Sequence, residues 1–140
     1  MNGPMYNKLK EGFEIMITKE KLFEINNEIN NAVSLLFNLR NPELYGAYGP
    51  SSESIQSSVQ KAVRNYNEIR YSQTPNSNYE KAIKEMGLNI DFIINLSKPN
   101  ARINEYLIER WQSGSPSRMM GLPAYYISRE KLEEILNGIE

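Results

Sequence analysis

An amphipathic helix is predicted by TKEKLFEINNEINNAVSLLFNLR, which occupies residues 18–40. Its apolar side chains recur at steps of three and four residues, the spacing that gathers them on one face of an α-helix. They are Leu22, Ile25, Ile29, Val33 and Leu36. Thr18 is a candidate N-cap. The helix is expected to end near Arg40, because Asn41-Pro42 disfavours helical geometry before the proline.

The same spacing recurs after the turn-rich loop of residues 41–52. A second helix is predicted from Ser51 or Ser52 to about Tyr71. A short third helix follows the polar stretch 72–78, and Gly87 is expected to close it as the C′ residue. Their apolar stripes are Ile55, Val59, Val63, Tyr66 and Ile69, and then Tyr79, Ala82, Ile83 and Met86.

The remaining third of the chain is also predicted to be helical. Residues 91–96 are apolar enough for a buried helical turn or two, and a further helix is expected from about 100 to 112. Residues 118–127 are predicted to be helical with a kink at Pro123. Ser128 is expected to cap a last helix that ends at Gly138. No segment alternates with period two, so the fold class is all-α.

Composition narrows the function classes. The 140 residues match one domain, and 40% of them are apolar. Cysteine and histidine are both absent, which removes thiolate nucleophiles, imidazole bases, disulfides and the common zinc and haem ligand sets. No apolar run approaches the ~20 residues that cross a bilayer, and the first ten residues lack an apolar signal segment. We therefore expect a soluble chain without metal or cofactor.

Carboxylates and serines are the remaining candidates for catalysis. Glu130, Glu133 and Glu134 lie on the last predicted helix, and Glu105 and Glu109 lie one turn apart. They are interpreted as solvated helix faces, because no base or oxyanion-binding group accompanies them. The serines at 113, 115 and 117 belong to an ordinary Gly-Ser-Pro-Ser loop. The chain is therefore predicted not to be an enzyme.

Charge gives no overall signal for nucleic acid, since 16 basic residues stand against 17 acidic ones. The chain has two local clusters of basic residues. The second helix carries Lys61, Arg64 and Arg70, residue types that contact phosphate oxygens without reading bases; a solvated helix face explains them equally well. A second cluster near the N-terminus is balanced by neighbouring glutamates. Composition alone does not predict DNA binding.

A resemblance adds to these observations. Gly121-Leu122-Pro123-Ala124-Tyr125-Tyr126-Ile127-Ser128 resembles the Gly-Leu-x-Ala-Tyr-Tyr-Ile-Ser segment of coat proteins from rod-shaped and filamentous archaeal viruses, the rudiviruses and lipothrixviruses. Further similar features, in the family's order, are Asn41-Pro42, Asn65-Tyr66, Thr74-Pro75 and Met86-Gly87-Leu88. The similarity covers roughly residues 33–139. The N-terminal segment departs from the rod-shaped members, whose extension is basic.

The resemblance implies a C-terminal bundle of about four helices preceded by an N-terminal helical arm. In this chain the arm and first helix would be residues 1–50 and the bundle 51–140, together one structural unit. It further implies a structural coat protein whose subunits pair around linear double-stranded DNA held in the A form. The partner subunit would be a second copy or a paralogous coat protein. The location would be the virion nucleocapsid, with a lipid envelope in some members, and the host cytoplasm before assembly.

The architecture that the resemblance implies assigns site residues by their position in the chain, and not by matched functional motifs. The DNA side is expected to include Lys8, Lys10, Lys19, Lys21, Arg40, Lys61, Arg64, Arg70, Tyr45, Tyr48 and Asn65. The bundle core and subunit contacts are expected to include Leu107, Trp111, Met119, Met120, Tyr125, Tyr126, Leu132 and Leu136. For the latter set, a role in the core of a monomer is an equal alternative.

Two other functions fit the same sequence. A small virus-encoded helical protein that inhibits a host factor would have similar size, charge and lack of catalytic groups. An enzyme that uses only carboxylates, lysine or tyrosine would require two carboxyl groups of raised pKa in one pocket.

Overall fold

The computed structural model describes residues 16–40, 52–98, 103, 105–113 and 124–138. Within these ranges the chain forms helices and no β-strand, so the predicted all-α fold is confirmed. The helices are α1 Lys19–Arg40, α2 Ser52–Ile69, α3 Ser77–Leu96, α4 Glu105–Gln112 and α5 Arg129–Leu136. None of the helices in the described ranges is long and apolar enough to cross a membrane.

Helix α1 packs against both α2 and α3. All five residues of its predicted apolar stripe are buried, as are its Phe23, Ala32 and Phe37. At the start of the helix, the Thr18 hydroxyl accepts a hydrogen bond from the backbone N–H of Lys21 at 3.2 Å, which confirms the predicted N-cap. The first helix therefore shares one buried core with the helices that follow it.

Helix α3 differs from the prediction, which ended a short helix at Gly87. The helix continues through Gly87 to Leu96 and combines two predicted pieces into one. A Cβ atom at position 87 would collide with the hydroxyl oxygen of Tyr66 on α2. That hydroxyl in turn donates to the backbone carbonyl of Ile83 at 3.1 Å. Glycine at position 87 leaves room for the end of the Tyr66 side chain, and it does not mark a turn of the backbone.

Two further boundaries were wrong. The helix predicted from about residue 100 begins only at Glu105, and Ile103 packs against the core in a non-helical conformation. The segment predicted to be helical up to Ile127 is not helical over the part of it that is described. Residues 118–123 lie outside the described ranges. We call residues 124–128 the strap.

The strap passes between α1, α3 and α4, and asparagine side chains bind its backbone. Asn89 on α3 donates to the carbonyl of Tyr125 at 3.1 Å and accepts from its N–H at 3.3 Å. Asn26 and Asn30 on α1 both donate to the carbonyl of Ile127, at 2.7 and 2.9 Å. The N–H of residue 126 donates to the carbonyl of residue 111 at 2.9 Å. These bonds satisfy backbone groups that a helix would have satisfied internally, which stabilises the non-helical strap.

An aromatic cluster lies beside the strap. Trp111 stacks on Phe92 with ring centroids 5.4 Å apart and meets Phe37 and Tyr126 edge to face, each at 6.4 Å. Of the residues expected in the core or interface, Leu107, Trp111, Tyr125, Leu132 and Leu136 are buried, and Tyr126 is 38% exposed. Met119 and Met120 lie outside the described residues.

The last helix has the capping predicted for it. The Ser128 hydroxyl accepts from the N–H of Lys131 at 3.1 Å, as an N-cap does. Gly138 follows the helix with φ of 75°, a left-handed conformation that glycine adopts without steric cost.

Stability above pH 10 should depend on Tyr125. Its hydroxyl donates to the carboxylate of Glu85 on α3. Burial, and secondly the bond to Glu85, raise the pKa of Tyr125 above its ordinary value of 10. The folded chain therefore retains a proton that the unfolded chain loses. This contribution is complete below pH 10 and should fall as pH rises beyond it, by at most about 1.4 kcal/mol per pH unit.

Urea unfolding at pH 8, 10 and 11 measures this effect. Tyr125→Phe should show a shallower decline above pH 10 than the unsubstituted chain. Equal declines in the two proteins would show that the Tyr125 proton is not retained on folding.

Candidate nucleic-acid interface

Lys61 and Asn65, two of the residues expected to face DNA, both contact a carboxylate of α1. The Lys61 ammonium lies 3.7 Å from Oε2 of Glu28, and the Asn65 side-chain amide donates to Oε1 of the same residue at 2.8 Å. The Glu28 side chain in this ion pair is only 15% exposed. These two side chains thus join α2 to α1, and Lys61 is offset by a nearby negative charge.

The two lysines at the start of α1 are also paired. Lys19 lies 3.4 Å from Glu133 on α5 and 5.6 Å from the centre of the Phe23 ring. Lys21 lies 3.7 Å from Glu24, one turn along its own helix. Surface pairs of this kind stabilise a fold by about 0–1 kcal/mol. They also reduce the positive charge that each lysine presents to a polyanion.

Three cations border two adjoining hollows, one along α2 and one between α2 and α3, which share Val63 and Asn67 and which we together call the α2–α3 groove. Arg64 lines its outer part together with Val59 and Val63, whereas Arg70 and Lys84 line the part between the helices. All three are exposed. Among the described residues, no carboxylate forms an ion pair with Arg64, Arg70 or Lys84. The α2–α3 groove therefore brings together three cations without such an ion pair.

Arg70 is positioned by its neighbours. Its guanidinium lies 4.9 Å from the centre of the Tyr71 ring and 5.9 Å from that of Tyr66, and it donates to the Asn67 side chain at 3.4 Å. Stacking on two aromatic rings limits where the cation can point while leaving other N–H donors available. The pKa of Tyr66 is raised, mainly by burial. The charge of Arg70 acts in the opposite direction, and that of Asp91 adds to the increase.

Acidic residues moderate the groove. Asp91 and Glu68 line its walls, and Glu80 lies near its end beside Lys84. The arrangement can attract an extended polyanion at a few points, and it lacks the density of charge that would hold one strongly. Among the described residues, no group of three or more carboxylates is placed to hold a metal ion.

The structure thus separates the sequence-predicted residues. It brings Arg64 and Arg70 to the groove and places Lys19, Lys21, Lys61 and Asn65 in contacts within the chain. Lys8, Lys10, Tyr45, Tyr48 and the side chain of Arg40 lie outside the described residues. Lys84 was missed because the short helix predicted around it ended at Gly87. A continuous α3 would have shown Lys84, Leu88 and Asp91 at helical spacing on one face.

No protein-family model, curated protein or solved structure matches this chain.

Proposed function

We propose that this chain is a structural coat subunit that polymerises around linear double-stranded DNA without reading its sequence. The observation that carries the proposal is the α2–α3 groove, where Arg64, Arg70 and Lys84 have no carboxylate partner among the described residues. Contacts from such side chains to phosphate oxygens fix a protein on a duplex and carry no base information. A coat needs that kind of binding, since it must cover every sequence equally.

The charge of the chain sets the expected strength of binding. Because the net charge is −1, one subunit is expected to bind weakly, and many subunits along one duplex must act together. Three phosphate contacts per subunit would make log K fall by about 2.7 for each tenfold rise in salt.

The residues that carry the resemblance support the proposal because several of them meet in space. Tyr66 of the Asn65-Tyr66 pair packs against Gly87 of Met86-Gly87-Leu88. Ala124 to Ser128 of the octapeptide form the strap. Asn89, two residues after Gly87 on α3, binds the strap through the backbone of Tyr125. Tyr66 and Gly87 are thus packing positions, and the matched residues of the strap lie in a segment held by hydrogen bonds from other helices.

The partners follow from the same proposal. Subunits would pair with a second copy or with a paralogous coat protein, around DNA in the A form. The proposed location is the nucleocapsid of a virion, inside a lipid envelope where one is present, and the host cytoplasm before assembly. No catalytic step or cofactor enters this function.

Charge variants test the groove. Arg64→Gln and Lys84→Gln should each weaken binding to duplex DNA uniformly across sequences and reduce the salt slope by about 1. Lys19→Gln is the matched control, because it removes the same charge from a lysine paired with Glu133. Fluorescence anisotropy with a labelled duplex of mixed sequence, measured from 50 to 300 mM salt, gives both quantities.

The groove assignment would be contradicted if Lys19→Gln reduced the slope as much as the two groove variants did. Affinity that changes strongly between duplexes of different sequence would contradict a coat function.

A further inference from the structure

A second cavity opens where α2 ends, and we call it the Tyr71 pocket. It encloses about 340 Å³, within the range of roughly 300–1,000 Å³ common for small-ligand sites. Its walls include Tyr71, Arg70, Lys84, Thr74 and Glu80. Arg70 and Lys84 also line the α2–α3 groove, so the pocket lies at the end of that groove.

Tyr71 presents an aromatic surface to solvent. The residue is 73% exposed, the most exposed large hydrophobic residue in the described part of the chain. Arg70 lies over the ring at 4.9 Å from its centre, and at this exposure much of the aromatic surface remains accessible. Nucleobases stack on such faces regardless of sequence, because every base has a π-face.

The polar groups around the ring complement the rest of a nucleotide. Arg70 and Lys84 are cations without an ion pair among the described residues, and they suit a phosphate group. Glu80 accepts a hydrogen bond from the Thr74 hydroxyl at 3.4 Å, and its carboxylate can also accept from an amino group on a base. With two cations and one anion the pocket retains net positive charge.

We infer that the Tyr71 pocket binds one unpaired nucleotide of a single-stranded nucleic acid. The base stacks on Tyr71, and the adjoining phosphate contacts Arg70 and Lys84. Paired bases in a duplex are stacked on their neighbours and cannot present a face to Tyr71. The inference goes beyond the proposed coat function, which uses duplex phosphates alone, and it does not require that function to be correct.

Substitutions at Tyr71 separate the two activities. Tyr71→Ala should weaken binding of a labelled ten-nucleotide oligo(dT) by at least about fivefold, as expected for the loss of one stacked base. It should weaken duplex binding less than oligo(dT) binding, because Arg70 keeps its contact with the Tyr66 ring, and Tyr71→Phe should retain oligo(dT) binding. Tyr106→Ala is the matched control, since Tyr106 on α4 is 56% exposed and does not line the pocket. Circular dichroism verifies that each variant is folded.

Each outcome decides the inference. Absence of oligo(dT) binding, no effect of Tyr71→Ala, or an equal loss for oligo(dT) and duplex would overturn it. Tyr71-dependent oligo(dT) binding without duplex binding would support the pocket and overturn the coat function. Duplex binding without oligo(dT) binding would overturn the pocket and support the coat function.

Discussion

Trp111→Ala is expected to lower the free energy of unfolding by about 3–5 kcal/mol, the range found when a buried large aromatic residue is truncated. Trp111 is only 2% exposed and contacts three other aromatic rings. Its removal takes away apolar burial and leaves a cavity between α3, α4 and the strap. The backbone carbonyl that accepts from the strap remains after the substitution. Urea unfolding followed by circular dichroism measures the loss of stability.

Tyr106→Ala is the control on the same helix. Tyr106 is exposed, so its truncation should change stability by no more than about 0.5 kcal/mol. Equal effects of the two substitutions would mean that the aromatic cluster does not form the core.

Asn89→Leu is expected to destabilise the fold by about 2–5 kcal/mol, although leucine has similar size and is more apolar. Asn89 is 1% exposed and makes both hydrogen bonds to the backbone of Tyr125. The substitution leaves a buried donor and a buried acceptor unsatisfied, each costing roughly 1–3 kcal/mol. The measurement is again urea unfolding, together with amide hydrogen exchange at Tyr125, whose protection should disappear.

Asn95→Leu is the matched control, because the Asn95 side chain makes exposed, local hydrogen bonds: it donates to the carbonyl of Asp91 and accepts from Lys98. It should cost less than about 1 kcal/mol. If Asn89→Leu were as mild as this control, or left the Tyr125 amide protected, the strap would not depend on the asparagine clamp.

The sequence predicted those parts of the fold that depend on local spacing. The apolar stripe of α1, the cap at Thr18 and the cap at Ser128 each follow from residues within a few positions of one another. Prediction from the sequence failed where contacts between distant parts of the chain determine the local structure. Glycine is typical of a helix end, yet Gly87 lies within α3 and leaves room for the Tyr66 side chain of α2. Spacing along one helix cannot reveal such a contact between two helices.

The strap was misread for the same reason. Its hydrogen-bond partners are distant in sequence: Asn89 is 36 residues from Tyr125, and Asn26 is 101 residues from Ile127. An asparagine in a helix gives no sign that it will bind a non-helical segment so far away.

The candidate site was predicted in part. Positive side chains of α2 could be identified from sequence, but their pairing could not, because Glu28 reaches Lys61 and Asn65 from another helix. Lys84 joined the groove only when α3 proved continuous. Sequence therefore predicted the residue types of the interface, and the packing of α1, α2 and α3 determines which charges remain unpaired.

Electron microscopy of the purified protein with linear duplex DNA tests the coat function most directly. The protein is imaged with DNA by itself and after addition of any coat-like protein encoded beside it, each across a series of salt concentrations. The proposal predicts regular filaments that form only with DNA and are lost as salt rises. Particles that stay small and ignore DNA under every condition would contradict it, and would favour a small helical protein that inhibits a host factor.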